Sequence, residues 1–279
     1  MLNKLLKYEI KATARWFLPM YAGIFAFAVI NRFFMFFSPH INQRNLPPLI
    51  ESSLALIQGG AVMVYVLIIM ATFVLTLFIM LQRFYKNLLG DEGYLMFTLP
   101  VKPVLHIWSK MIVSILWIIG SIIVTILSIF VLTVDTDFFI AMGKLMESLP
   151  EVFARLMKNF SLIHMIFYFI EIIILVLVSC AASILAFYAA IALGHTRNSH
   201  RILYSFGFYM VIDFVFSLVQ GFIMLVAGIT LENTLSFLKD NTIWFVHISL
   251  VGISLLCLFQ AIVCFIITNH ILSNKLNLE

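Results

Sequence analysis

Charged side chains are scarce in this chain. Lys, Arg, Asp and Glu make up 11% of its 279 residues, whereas 63% of the residues are hydrophobic. A soluble protein of this size carries about one charged residue in four, because water must wet its surface. The mean hydropathy of +1.10 points the same way. These values exclude an ordinary soluble protein and indicate a chain that lies mostly in lipid.

Cysteine is also scarce, and the few cysteines have no metal-binding spacing. Cys180, Cys257 and Cys264 all lie inside apolar runs without a CxxC pair, so the sequence predicts neither a disulfide framework nor a zinc site. The chain also lacks the GxxxxGK[ST] motif and any soluble nucleotide-binding segment. We therefore expect no ATP hydrolysis, no bound cofactor and no metal in this polypeptide itself.

Long apolar runs are abundant. A helix needs about 20 apolar residues to cross the hydrocarbon core of a bilayer. Runs of this kind occur at residues 16–37, 56–81, 107–134, 162–193, 202–229 and 243–267. The sequence therefore predicts an all-α polytopic membrane protein with six transmembrane helices, folded as one transmembrane domain over residues 1–279.

The distribution of positive charge predicts the orientation of these spans. Six spans place both termini on one side, and Lys and Arg accumulate on the cytoplasmic side of membrane proteins. With both termini inside, the inner segments hold 11 of the 17 Lys and Arg residues and a net charge of +7, against −1 outside. The basic excess of the chain is explained by topology, so nucleic acid is not a predicted partner.

Two connecting segments are predicted to be amphipathic. Residues 1–15 place Leu2, Leu5 and Leu6 on one helical face with lysines around the other, which favours an interfacial helix on the cytoplasmic leaflet over a disordered basic tail. Residues 135–160 repeat apolar side chains at helical spacing on the extracellular side. There Ser148 and Glu151 form a capping box, which predicts two short helices with a hinge at Ser148.

The inner connection between the second and third spans, residues 83–105, contains two acidic residues followed by a short apolar stretch. Gly90 is placed to end the second span, and Asp91 and Glu92 are suited to the start of a new helix. The next residues are apolar until Pro100 stops the pattern. A short apolar helix on the wet side of a membrane needs a partner surface, either lipid or a protein groove.

The segment GDEGYLMFTLPV resembles the first cytoplasmic loop of ABC type-2 permeases, the membrane subunits of bacterial ATP-driven exporters. The resemblance extends to the layout of the whole chain, and it implies a location in the bacterial plasma membrane. It implies that this segment is a short cytoplasmic coupling helix that binds a separate ABC ATP-binding subunit, which holds ATP and Mg²⁺. The residues concerned are Gly90, Asp91, Glu92, Gly93, Tyr94, Leu95, Met96, Phe97, Thr98, Leu99 and Pro100.

The same resemblance assigns further partners and a class of cargo. The second inner loop would contact the same ATP-binding subunit through His195, Arg197, His200 and Arg201. Family exporters use pairs of permeases, so a second copy of this chain or a sister permease would complete the pathway. The substrates implied are toxin or antimicrobial peptides, or other amphipathic molecules.

Three ionisable residues within the spans are the remaining candidates. Arg32, Glu171 and Asp213 lie in or at the edge of apolar runs, where a charge is costly unless it is paired, protonated or in contact with water. We expect Arg32 to pair with Glu171. The acids either fix helix packing or contact substrate.

Two other classes of function remain open at this level. An intramembrane enzyme would need a nucleophile with a base, or a metal motif such as HExxH, and the sequence shows neither. A standalone proton-coupled transporter could use Glu171 and Asp213 as proton carriers.

Overall fold

The computed structural model describes residues 2–42, 47–90, 93–98, 101–159, 161–197, 200–239 and 242–274, and this part of the chain is almost entirely helical without a strand. The all-α prediction is therefore confirmed. The helices are α1 Leu2–Asn42, α2 Pro48–Phe84, α3 Gly93–Thr98, α4 Pro103–Thr133, α5 Thr136–Asn159, α6 Leu162–His195, α7 Arg201–Lys239 and α8 Thr242–Asn274.

Six of these helices contain stretches long and apolar enough to cross a membrane, as the hydropathy pattern predicts. The stretches are Leu2–Phe36, Leu49–Leu89, Pro103–Thr133, Leu162–His195, Arg201–Val226 and Ile243–Asn274. They are longer than most of the predicted spans because a helix continues past the hydrocarbon boundary for as long as its backbone hydrogen bonds remain favourable. The chain is thus a multi-pass helical membrane protein.

The first helix shows no break between the proposed interfacial segment, residues 1–15, and the first span. Helix α1 runs from Leu2 to Asn42, and residues 2–18 contain no glycine or proline that would interrupt it. Thr13 even donates its hydroxyl to the carbonyl of Glu9 one turn earlier, at 2.7 Å. A separate interfacial helix therefore stays a prediction.

The predicted hinge at Ser148 is wrong. Helix α5 is continuous from Thr136 to Asn159 and contains Pro150 in its interior. The Ser148 hydroxyl does not cap a new helix but donates to the carbonyl of Leu145 in the preceding turn, at 2.9 Å. The missing N–H of one proline removes a single helical hydrogen bond, and here that loss does not divide the helix.

The chain divides into two compact units. One consists of residues 3–80 and 116–150, and the other of residues 81–115 and 151–279 together with the first two residues. Helices α2, α4 and α5 contribute segments to both units, so this division does not test the prediction of one domain over residues 1–279.

The core of the first unit combines aromatic stacking with buried polar contacts. The ring of Phe17 stacks on Trp117 with centroids 4.2 Å apart, and Trp117 Nε1 donates to the hydroxyl of Thr13 at 2.8 Å. The hydroxyls of Tyr21 and Ser121 lie 2.9 Å apart. Such contacts satisfy polar groups that would otherwise be exposed to lipid.

In the second unit α6 packs against both α7 and α8. Its C-terminal half is rich in small buried residues, and it approaches α7 closely at Gly194. A Cβ atom added to Gly194 would lie 2.6 Å from the backbone nitrogen of Ser205 in α7. Small residues of this kind let membrane helices approach closely. The buried alanines are Ala182, Ala186, Ala189, Ala190 and Ala192.

Candidate functional sites

The segment that resembles a coupling helix begins where α2 ends. The last turn of α2 widens into a π-helical turn, Tyr85–Leu89, and the amide of Gly90 donates to the carbonyl of Tyr85 at 2.9 Å. Gly90 has extended backbone angles and ends the helix, as its position in the sequence predicts. The amide of Gly93 then donates to the carbonyl of Gly90 at 2.8 Å, and α3 follows directly.

Helix α3, Gly93–Thr98, occupies most of the segment for which an apolar helix was predicted. It includes Tyr94, Leu95, Met96 and Phe97, and it packs against the π-helical turn. Asp91, Glu92, Leu99 and Pro100 lie outside the described residues, so the predicted cap is not tested. The structure has a short helix at this position, and its role as a coupling helix stays a prediction.

The π-helical turn is itself anchored in the second unit. Its last three residues, Asn87, Leu88 and Leu89, are buried. Just before the turn, the ring of Phe84 stacks on Tyr188 of α6 with centroids 3.9 Å apart and planes 6° from parallel. Both of these side chains are fully buried. The stack therefore fixes the C-terminal end of α2 to α6.

The second inner loop lies at the same end of α6. Its His195 ring is 5.7 Å from the ring of Tyr85 in the π-helical turn, and its Nε2 lies 3.4 Å from Nη1 of Arg201. The guanidinium of Arg197 lies over the ring of Tyr204, 5.9 Å from its centroid. The structure therefore brings His195, Arg197 and Arg201 to the same end of this unit as the π-helical turn.

His200 differs from the other residues of this loop. It is exposed and has a φ of 51°, a left-handed conformation that is uncommon outside glycine but that asparagine, aspartate and histidine adopt more often than other residues. Its carbonyl accepts the amide of Tyr204 at 3.1 Å, which starts α7. The backbone role of His200 is to reverse the chain between α6 and α7.

Arg32 does not pair with Glu171 as expected. Its Nη1 lies 3.5 Å from the carboxylate of Asp135 and 3.4 Å from the carbonyl of Leu132, and its Nη2 donates to the carbonyl of Val134. The guanidinium thus binds the C-terminal carbonyls of α4, where the helix dipole favours a cation. This contact holds the segment between α4 and α5, which is a structural role.

Glu171 instead belongs to a hydrogen-bonded chain with two histidines. The Nδ1 atom of His247 lies 2.8 and 2.9 Å from the two carboxylate oxygens of Glu171, and Nε2 of His247 lies 3.1 Å from Nδ1 of His164. Tyr168 stacks on the His247 ring, with centroids 4.2 Å apart. We call Glu171, His247 and His164 the carboxylate–histidine chain.

This chain was not predicted, although the sequence contains part of the signal. His164 and Glu171 are seven residues apart and so lie two helical turns from each other on one face of α6. Their position relative to His247 depends on how α6 packs against α8, which spacing within one helix does not contain. In the sequence alone the two histidines are 83 residues apart in separate helices, and only the packing of α6 on α8 brings them together.

A cleft of about 610 Å³ opens beside the carboxylate–histidine chain. It lies between the N-terminal halves of α6 and α8, at the end opposite to the second inner loop, and most of its wall is apolar. The lining residues are His164, Phe167, Glu171, Trp244, His247, Ile248, Val251, Gly252 and Leu255.

Asp213, the third predicted intramembrane candidate, lies on an exposed face of α7. One turn before it, Tyr209 stacks on Phe187 of α6 with centroids 4.2 Å apart. Asp213 does not line the cleft, so the two acids occupy different surfaces of the same unit.

Within the described ranges, no group of three or more His, Cys, Asp and Glu side chains is arranged to hold a metal ion. In the carboxylate–histidine chain both ring nitrogens of His247 are engaged by protein atoms, which leaves that residue no lone pair for a metal. Cys180, Cys257 and Cys264 are free thiols.

Comparison of the chain with protein-family models, curated proteins and solved structures finds no match. Its function therefore has to be inferred from its own residues and their geometry.

Proposed function

We propose that this chain is the transmembrane subunit of an ABC exporter in a bacterial plasma membrane. In this proposal it forms half of a translocation pathway, and a second copy or a sister permease supplies the other half. Separate ATP-binding subunits bind ATP and Mg²⁺ and drive transport. Six apolar helices and the motif of residues 90–101 support the proposal.

The observation that carries it is the mechanical continuity from α3 to the spans. Helix α3 packs against the π-helical turn, the turn continues α2, and Phe84 at that junction stacks on Tyr188 of α6. A partner that displaces α3 would act on the ends of two spans at once. Fully buried aromatic stacking transmits such a displacement, because a packed core deforms little.

The second inner loop gives the same partner a second point of contact. His195 lies beside Tyr85 of the π-helical turn, and Gly194 fixes the close approach of α6 and α7. Motion imposed near α3 would therefore reach the junction of α6 and α7. ATP-driven closure of the motor subunits would bias the bundle between inward-facing and outward-facing states.

The proposed orientation rests on charge, with both termini in the cytoplasm. This arrangement places α3 and the second inner loop on the cytoplasmic side, where ATP is available, and it follows the positive-inside rule. The proposed cargo is an amphipathic peptide or a similar molecule. The chain has 28 Phe and 14 Met residues, side chains that offer adaptable apolar contacts.

The proposal is tested by purifying the tagged chain from its native membrane in mild detergent. We expect an ATP-binding subunit to copurify in stoichiometric amount. Replacement of Tyr94, Leu95 and Phe97 in α3 by Glu should remove it, because charged side chains do not enter an apolar groove without a partner.

A matched control makes the same kind of change elsewhere. Leu145 and Met146 are exposed on α5, and their replacement by Glu should leave the ATP-binding subunit bound. If the wild-type chain brings down no nucleotide-binding subunit, or if both sets of variants lose it equally, α3 is not a coupling helix.

A standalone proton-coupled transporter is the second candidate, and one observation favours it. The carboxylate–histidine chain joins three titratable groups of two spans, α6 and α8, as proton pathways do. A protonophore would then stop transport while ATP depletion with a maintained proton gradient would not, and the ABC proposal predicts the reverse.

A further inference from the structure

We propose that the cleft between α6 and α8 is a binding site for a cationic amphiphile, with Glu171 as the counter-ion of its ammonium group. The position of the cleft and the identity of its lining residues follow from the geometry of the structure alone. Its part in export, as the place where cargo is recognised, rests on the proposed function.

The lining of the cleft favours a cationic ligand. Glu171 is the one acid among the lining residues, which include no lysine or arginine. Its carboxylate is hydrogen-bonded to Nδ1 of His247, whose Nε2 is in turn hydrogen-bonded to His164. A carboxylate within a membrane span is costly without a compensating charge, and an ammonium ion supplies one.

The carboxylate is held at the edge of the cleft instead of being sealed in the helix packing. The Glu171 side chain is 18% exposed, and that of His247 is 11% exposed. The stacked Tyr168 ring and the hydrogen bond from its hydroxyl to the carbonyl of Ile243, at 2.9 Å, fix the position of His247. Glu171 is therefore oriented before any ligand arrives, which lowers the entropic cost of binding.

The walls select the rest of the ligand. Apart from the carboxylate–histidine chain the lining side chains are Phe167, Trp244 and aliphatic residues of α8, which accept a hydrocarbon or aromatic group. Trp244 also offers a π-face that attracts an ammonium ion. The volume of about 610 Å³ falls within the usual range of small-molecule sites, about 300–1,000 Å³.

Charge complementarity favours a cationic amphiphile over an uncharged or an anionic ligand in the cleft. An uncharged lipid chain would use the apolar wall but make no charged contact with Glu171, and an anionic amphiphile would be repelled by the carboxylate. A ligand with one ammonium group and an apolar body matches both parts of the cleft.

The test measures the binding of 4-phenylbutylammonium and its uncharged analogue 4-phenylbutanol to the full-length chain in phosphatidylcholine nanodiscs. Isothermal titration calorimetry, with empty nanodiscs subtracted, should show about tenfold tighter binding of the ammonium compound, as expected for a charge-assisted contact. The variant Glu171→Gln should lose this preference while it still binds the alcohol.

Two further variants separate the site from non-specific binding. Asp213→Asn removes the other acid of the same unit, which does not line the cleft, and should bind both compounds like the wild type. Gly252 lines the cleft, and a Cβ atom added there meets nothing within 4 Å. Gly252→Leu should therefore fill the space without a clash and weaken the binding of both compounds.

Equal affinity of the wild type for the two compounds would overturn the proposal and leave an apolar groove for lipid. Unchanged binding in Gly252→Leu would overturn it as well, because the ligand would then lie elsewhere. If Glu171→Gln does not fold, the proposal is tested by the other two measurements. These are the preference of the wild type for the ammonium compound and the binding of both compounds to Gly252→Leu. No ATP-binding subunit takes part, so a failure here is distinguishable from a failure of the proposed transport function.

Discussion

At the scale of single residues, polar side chains in the spans are informative because lipid offers them no hydrogen bonds. Arg32 and Glu171 were recognised from the sequence, but the expected pair between them was wrong. Asp135 and the end of α4 hold Arg32, and His247 holds Glu171. Hydropathy shows that a charge within a span needs a partner, whereas helix packing decides which partner it finds.

The stack of Phe84 on Tyr188 yields a prediction at this scale. Phe84→Ala should lower the free energy of unfolding by about 3–5 kcal/mol, since it truncates a fully buried aromatic side chain and leaves a cavity. Phe78→Ala, on the same helix but 59% exposed, is the matched control and should cost far less. Thermal unfolding in detergent measures both, and equal shifts would contradict the anchoring of α2 on α6.

At the scale of elements, the sequence predicted the six spans and the short helix at α3 because hydrophobic run length and helix breakers are local signals. It did not predict the continuity of α5 through Pro150, because a proline and a capping box at Ser148 resemble a helix start. It also missed the carboxylate–histidine chain, because this depends on the contact between α6 and α8 and not on spacing within either helix.

The crossing of α6 and α7 at Gly194 yields a prediction for these elements. Gly194→Ala should destabilise the protein by about 1–3 kcal/mol, because its methyl group would overlap the backbone of Ser205 and separate the helices. Gly207→Ala in α7 places a methyl group in open space, and better helix propensity should leave stability equal or slightly higher. Thermal melts that rank the two variants in the opposite order would exclude a close crossing at Gly194.

At the scale of the whole molecule, the few charged residues are informative because of their distribution among the connecting segments. The net charge of +4 is unremarkable as a total, but the positive-inside rule applied to its distribution predicts that α3 faces the cytoplasm, the aqueous phase that contains ATP. The described part of the chain has six helices apolar enough to cross a membrane and a short helix, α3, that packs against the π-helical turn at the end of α2. We propose that a separate motor engages this attachment.

Native mass spectrometry of the tagged complex, purified in mild detergent from the native membrane, tests this central claim most directly. We predict an assembly in which the 31.9 kDa chain is bound to chains that carry the ATP-binding GxxxxGK[ST] motif, with two permeases and two ATP-binding subunits. The observation of this chain alone, or only with further copies of itself, would contradict the account.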